Sequence, residues 1–346
     1  MVPENTFRDC LTEMLSKKIV DGCEFVVFDL EWNQPIPGKT YDFDCSNLTG
    51  EIIEIGACRY VYENGGLVFR DTFSADIVPA VYTRLHYHVR KVTKKKNSDL
   101  KKGQPFADAY KGFREFCGPD AILVGWGNSD PAMLKMNLKF FGMDPVLGMQ
   151  FLDLQPIFSF FAGQKGKQRS VEAAVDFYNI EKKDIFHSAT ADAQYTGEVF
   201  EEIFKHNKPS EVISAISSSS VDPDVKNEFS LVGGGAKDAE SALGLVNGFL
   251  SVCPVCGSTL KAEIGKFRIR KSQYALLSCS EHGELFSRSR IKKNKEGLYY
   301  ASSVLRFATQ TDYYLVASKK EEFDKYGSKG APAALPEDKN EETATL

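Results

Sequence analysis

No stretch of this 346-residue chain approaches the roughly 18 consecutive apolar residues that a membrane-spanning helix needs. An integral helical membrane protein is therefore excluded, and no membrane partner is expected. The opening segment MVPENTFRDCLTEMLSKKIV lacks the uninterrupted apolar core of a secretory signal. It reads instead as amphipathic, with Phe7, Leu11, Met14 and Leu15 near helical spacing. The chain also lacks a strong charge of either sign: its net charge is −4, so any affinity for nucleic acid must come from local patches. No internal repeat is present. The triple glycine Gly233–Gly235 is not followed by Gly-Lys-Ser/Thr, which excludes a phosphate loop there. The scattered Cys10, Cys23, Cys45, Cys58 and Cys117 suit reduced thiols, and the expected location is the cytoplasm.

What is present organises into two halves. With 42% hydrophobic residues, the chain can build one sizeable core and a second small domain. Residues 24–30 read as a buried strand. Two strand-like runs follow, joined by Asn64-Gly65-Gly66, a strong hairpin signal. Helices are expected in PFADAYKGFREFC, after Pro131, after Ser170 and over TADAQYTGEVFEEIFKH, with a further strand at AILVGWGNSD. Strands alternating with helices predict a mixed α/β sheet. The first domain is expected over residues 1–208. Residues 209–248, with a serine run and the triple glycine, read as a flexible linker. A second, β-rich domain is expected over 249–320, with DYYLVAS among its β-type runs, and a disordered tail over 327–346.

The stretch EFVVFDLEWN carries the main chemical signal. Asp29 and Glu31 lie two residues apart and so share one face of the strand. Two carboxylates beside an apolar core repel each other, unless a divalent cation sits between them. A two-metal phosphodiester site needs further acids from other elements. Asp130 closes a strand just before a helix, where an α/β sheet places ligand-binding groups. Asp192 stands near the start of the last helix, and His187 five residues before it suits general-base work. Read alone, Asp130 is also a plausible helix N-cap, Asp192 a helix-dipole residue and His187 a surface histidine.

This constellation resembles the DEDDh (DnaQ-like, RNase T-like) 3′–5′ exonuclease superfamily. Its first motif matches Asp29 and Glu31, its second Asp130, and its third, His-x4-Asp, His187 and Asp192. The stretches GEIIEIGA and WGNSD look most like the Eri-type and KapD-type exoribonuclease branch. The resemblance covers roughly residues 24–205 and implies a ribonuclease H-like mixed sheet flanked by helices. It implies two Mg²⁺ or Mn²⁺ ions, with Asp29 bridging both. Glu31 and Asp192 would complete one shell, Asp130 would hold the second ion through water, and His187 would take the proton of the attacking water. Trp32 and Asn33 occupy the place where the family contacts the terminal base; a packing role for Trp32 is the alternative. Single-stranded nucleic acid is the implied substrate and nucleoside 5′-monophosphate the product. RNA is favoured and DNA is the alternative; a non-catalytic scaffold on the same fold is the reading from another class. Asp42 and Asp44, in the loop after the first motif, are expected to lie outside the site. The basic run from Arg90 to Lys102 reads as a solvated loop or as a phosphate clamp.

The remaining cysteines form a separate cluster. Cys253-Pro-Val-Cys256 and Cys279-Ser-Glu-His282 each hold two residues between candidate ligands. Such a Cys₃His set suits one structural zinc ion with no open position, and the segment resembles a zinc ribbon. Basic residues from Lys261 to Lys295 interleave with Phe267, Tyr274, Phe286, Tyr299 and Tyr300. Nucleic acid is the expected partner of this domain, with protein docking as the alternative. Nothing in the sequence sets an oligomeric state.

Overall fold

The computed structural model describes residues 19–41, 44–45, 47–163, 169–184, 186–224 and 228–330. The amphipathic N-terminal segment to residue 18, Asp42 and the tail from residue 331 lie outside the described residues. The chain divides into two compact units, one reaching Asn227 and including Thr309–Asp312, the other formed by Glu228–Ala308 and the residues from Tyr313 onward.

The first unit is built on a five-stranded sheet in the order β3-β2-β1-β4-β5. These strands are β1 (Glu24–Asn33), β2 (Glu51–Glu63), β3 (Gly66–Asp76), β4 (Ile122–Gly125) and β5 (Phe151–Asp153). Antiparallel β1-β2-β3 pairs give way to parallel β1-β4-β5 pairs, so the sheet is mixed. Asn64 and Gly65 both take positive φ in the β2–β3 turn, matching the twist a tight hairpin requires. The four apolar residues that open β1 are buried on both faces. Phe25 and Val27 join one core; Val26 and Phe28 join the other.

Helices cover both faces. One layer is α2 (Phe106–Cys117) and α3 (Ser129–Phe140), which add Phe113 and Leu134 to the core around Phe28. The opposite layer holds α4 (Leu154–Phe161), α5 (Val171–Phe177), α6 (Ala189–His206) and α7 (Pro209–Ser219). A short helix, α1 (Tyr87–Thr93), follows β3. Helix α6 is the main lid on β1: Phe200 meets Phe25 edge-on at 5.3 Å. A fully buried phenylalanine of this kind contributes about 2–3 kcal/mol. This is an α/β ribonuclease H-like architecture with a second β-sheet domain.

The second unit is a five-stranded antiparallel sheet in the order β6-β10-β9-β8-β7. Its strands are β6 (Glu228–Ala236), β7 (Lys261–Ile269), β8 (Ser272–Cys279), β9 (Gly283–Lys293) and β10 (Tyr299–Phe307). Helix α8 (Ala239–Asn247) packs Ala242, Leu243 and Val246 on one face. From helix α9 (Gln310–Tyr326), Leu315, Val316 and Phe323 pack against Phe267, Leu276 and Phe286 of the sheet.

The expected linker over 209–248 is not a linker. Pro209 starts α7, a position where its missing N–H costs nothing, and Val212 and Ile216 are buried one turn apart. The triple glycine lies within β6, where Gly233 and Gly234 serve close packing. A methyl at Gly233 would come within 2.9 Å of Leu245 and Val246 on α8, and one at Gly234 would overlap the Tyr300 ring. The second domain therefore begins with β6 rather than at residue 249, and it extends beyond residue 320. The run DYYLVAS belongs to helix α9, because Val316 and Phe323 repeat at a helical seven-residue interval on the apolar face.

Candidate active site

Residues 25, 27, 29 and 31 share one face of β1, the face that α6 covers. Phe25 and Val27 supply its apolar part, and Asp29 and Glu31 follow where the helix begins. A register shift between Glu31 and Trp32 interrupts the regular pairing, which resumes at Trp32 opposite Ile52. Such a bulge re-aims the side chains beside it.

Asp192 lies in the first turn of α6, preceded by the His187 loop. The His187 backbone N–H donates to Asp192 Oδ2 at 3.2 Å, and His187 itself holds a left-handed φ of 72°. Asp192 Oδ1 is buried without a hydrogen-bond partner. Ligand atoms of Glu31, His187 and Asp192 lie within 4.8 Å of one another. Asp130 enters from the first turn of α3, only 4% exposed, and accepts a hydrogen bond from the backbone of Leu30, between the two β1 acids. Asp44, by contrast, is exposed on its loop.

The acids raise one another's proton affinity. Burial, followed by the charges of Asp130, Asp192 and Glu31, holds the Asp29 carboxyl well above the usual range. Burial with Asp192 and Glu54 pushes Glu31 up to about 8. Burial pushes Asp130 up to about 7, against the hydrogen bond from Leu30. Asp192 is raised by burial as well. A buried acid cluster with an orphaned carboxylate oxygen is a donor set suited to hard divalent cations.

Two groups in this cluster were not singled out from the sequence. Glu54 sits directly across from Glu31 on β2, is 4% exposed, pairs with Lys95 at 2.8 Å and accepts from Ser188 Oγ at 2.9 Å. Gly56 sits across from Asp29, and a methyl there would overlap the backbone of Ala189 and Thr190. The first turn of α6 can rest beside Asp29 only because Gly56 has no side chain. The run EIIEIG held both residues; their role shows only once the pairing register is known.

Trp32 is half-buried, packed against the core around Phe28. Asn33 does not reach outward. It is fully buried, donating to the carbonyls of Tyr82 and Arg84 at 2.6 and 2.8 Å and accepting from the His86 N–H at 2.8 Å. Its amide is spent on anchoring the loop that leads into α1, so the expected substrate contact is corrected to a structural tie. From the basic run, Lys95 bonds Glu54 and Asp76, whereas Arg90, Lys91, Lys94 and Lys96 are exposed.

In the second unit, Cys253, Cys256, Cys279 and His282 gather with ligand atoms within 4.8 Å of one another. His282 Nδ1 lies 3.6 Å from the sulfurs of both Cys253 and Cys279, and the Cys256 and Cys279 sulfurs are 3.6 Å apart. A tetrahedral ion with zinc-like bond lengths would set S···N near about 3.6 Å and S···S near about 3.8 Å. Gly257 takes the positive φ of 73° that turns the chain after the first pair. A hydrogen bond shared with Ser258 pulls the Cys256 thiol down to about 6.

A mixed sheet with buried acids gathered at a strand end, facing a helix N-terminus, defines an α/β protein with a donor set suited to divalent cations. The model of the RNase T exonuclease family matches residues 26–200, and the chain belongs to that family. It is accordingly a hydrolase of the nuclease type, and the DEDD exonucleases use divalent metal ions. Among solved structures, the chain is similar to the nuclease domain of 3′hExo, a DEDDh family member bound to rAMP, with 14% identity, 54% of this chain and 94% of that chain covered, and a TM-score of 0.47. Cell-death related nuclease 4 (CRN-4) matches with 12% identity, 70% and 89% coverage, and a TM-score of 0.47. E. coli Exonuclease I in complex with a dA16 oligonucleotide matches with 11% identity, 92% and 76% coverage, and a TM-score of 0.47. No curated protein matches the chain in sequence. Among the described residues no helix is long and apolar enough to cross a membrane.

Proposed function

We propose that this protein is a metal-dependent 3′–5′ exonuclease that removes nucleoside 5′-monophosphates from single-stranded nucleic acid. The observation that carries the reading is the convergence of Asp29, Glu31, Asp130 and Asp192, each driven toward its neutral form by burial and by its neighbours. A fold has no stability reason to gather such charges; a pair of bound cations gives it one. The residues fit that role. Asp29, Glu31 and Asp192 would hold one Mg²⁺ or Mn²⁺, and Asp29 with Asp130 the second. The bound cations would supply charge neutralisation at the scissile phosphate and the leaving 3′ oxygen.

The chain's own groups do the rest. His187, exposed ahead of α6 and tied to Asp192 through its backbone, takes the proton of the attacking water. Glu54 and Lys95 hold Glu31 in a fixed electrostatic setting. Trp32 retains enough exposure to stack on a terminal base.

In the second unit, Cys253, Cys256, Cys279 and His282 hold a structural zinc ion, in line with their tetrahedral spacing. RNA is the preferred substrate; the support is the likeness of GEIIEIGA and WGNSD to the Eri-type and KapD-type branch. Matched RNA and DNA strands, labelled at the 5′ end and digested with Mg²⁺, test the reading. A ladder shortening from the 3′ end, faster on RNA and absent in Asp29→Ala, is expected. No ladder on either strand, with binding retained, would turn the protein into a scaffold.

A further inference from the structure

We propose that the second sheet binds single-stranded nucleic acid along the end of strand β9 that lies beyond Phe286, on the face opposite α8 and past the residues α9 covers. The identity of the polymer rests on the exonuclease reading above; the surface itself rests on separate observations. Strand β9 is the central strand of its sheet, and beyond Phe286, which packs under α9, its two faces differ. Leu285, Ser287, Ser289 and Ile291 are buried on the side that carries α8. Arg288, Arg290 and Lys292, on the other side, are exposed. None of the three has a carboxylate within 4.0 Å among the described residues. Arg268, on the α8 side, does pair with Glu240.

The neighbours make this row a platform. Arg288 is flanked by Tyr274 on β8 and Val304 on β10, Arg290 by Ser272 and Ser302, and Lys292 by Tyr300 on β10. Both tyrosines are half-buried, Tyr274 with one ring face stacked on Phe267 at 5.9 Å and the remaining edge at the surface, whereas Phe267 and Phe286 are buried in the core and unavailable for stacking. The serines beside Arg290 leave its guanidinium unobstructed. Successive cations on one face of a strand stand about 6.7 Å apart. That is close to the phosphate-to-phosphate reach of an unstacked strand, so three phosphates can meet three cations while the exposed parts of the tyrosines offer aromatic surface to bases.

Charge makes a polyanion the occupant. Residues 261–307 hold eleven Lys and Arg against four Glu, a net of +7 within a chain whose net is −4. The excess is local, and Arg288, Arg290 and Lys292 form its exposed row along the central strand, whereas Lys266 and Arg268 are engaged by Asn247 and Glu240 of α8. A surface of this sign repels a basic partner and gains from counterion release on a phosphate backbone.

The test uses the full chain carrying Asp29→Asn, so that bound strands survive, and a 5′-fluorescent oligonucleotide of about 20 residues. Fluorescence anisotropy is followed against salt concentration. Replacing Arg288, Arg290 and Lys292 together with serine is expected to weaken binding about tenfold or more. It should also lower the slope of log affinity against log salt by about 2, since each phosphate contact on a single strand contributes roughly 0.7. A second variant, Arg288→Lys with Arg290→Lys, should keep most of the affinity, and an unchanged melting temperature in both variants excludes misfolding as the cause. Unchanged affinity and slope in the serine variant overturn the proposal, as does displacement of the strand by polyglutamate as readily as by unlabelled oligonucleotide. If the parent protein releases mononucleotides but this face proves irrelevant, the exonuclease reading stands alone. If the face binds strands but no mononucleotide is ever released, the reverse holds.

Discussion

Glu31 and Glu54 stand directly opposite one another on β1 and β2, and Lys95 closes a 2.8 Å ion pair on Glu54. Lys95 is thereby a positioning residue: its charge lowers the proton affinity of Glu31, which burial and the neighbouring acids raise. Lys95→Met strands Glu54 in the interior without its cation. Such a loss costs about 3 kcal/mol or more. The expected outcome is a lower melting temperature together with a shift of the acid limb of the kcat/KM profile to higher pH. A stability loss with an unmoved pH profile would reduce Lys95 to a purely structural ion pair.

Gly56 gives a sharper prediction. A methyl at this position would overlap the backbone of Ala189 and Thr190, at the first turn of α6. Relief requires the helix start to lift from the sheet, carrying His187 and Asp192 away from Asp29 and Glu31. A displacement of about 1 Å at a catalytic group can cost on the order of a hundredfold in rate. Gly56→Ala should therefore lose about that much kcat while keeping its far-ultraviolet circular dichroism. Full activity in this variant would show that the spacing between α6 and β2 does not govern the site.

The acid cluster predicts how the metal-free protein responds to pH. Glu31 is raised to about 8 and Asp130 to about 7. Between about pH 4, where unfolded carboxyls titrate, and those values, the folded state binds more protons than the unfolded state. Stability from these groups is therefore present at low pH and is lost as pH rises through that window. Asp29→Asn removes one of the repelling charges. With divalent metal removed, this variant should melt higher than wild type at pH 8, by several degrees, and the gap should narrow at pH 5. Differential scanning calorimetry at both values decides it. A variant that melts lower at pH 8 contradicts the electrostatic account of the cluster.

The sulfur cluster predicts a metal content of one zinc per chain, measured by plasma emission spectrometry. Cys279→Ser should abolish that content. Cys279 ends β8 and is buried in the core of the second sheet, so loss of the ion should lower the melting transition of that unit. The transition of the first unit should stay where it is. Retained zinc in Cys279→Ser would require another ligand set.

The fold class was legible because its signals are local and mutually consistent. The apolar run of β1, the Asn64-Gly65 turn and the Ser170 cap each describe their own segment, and together they describe a mixed sheet. The acids were legible through spacing, since Asp29 and Glu31 must share a face wherever the strand lies. What stayed hidden depends on partners distant in sequence. Glu54 and Gly56 matter through their pairing with β1. Gly233 and Gly234 look like a flexible linker until α8 and Tyr300 are seen against them. Asn33 follows the first motif as a substrate contact would, yet its bonds run to a loop some fifty residues on. The tyrosines of DYYLVAS favour a strand by propensity, but packing against Phe267 and Phe286 draws the segment into a helix.

The most direct measurement places a radiolabel in the 3′-terminal nucleotide of a single strand and follows its release with Mg²⁺ present. Wild-type protein should release it first and entirely as the nucleoside 5′-monophosphate. Asp29→Asn and His187→Asn should release it at least a hundredfold more slowly, consistent with loss of a metal ligand or of a general base. Label appearing in oligonucleotides, or wild-type rates in Asp29→Asn, would contradict the assignment of this carboxylate cluster as an exonuclease centre.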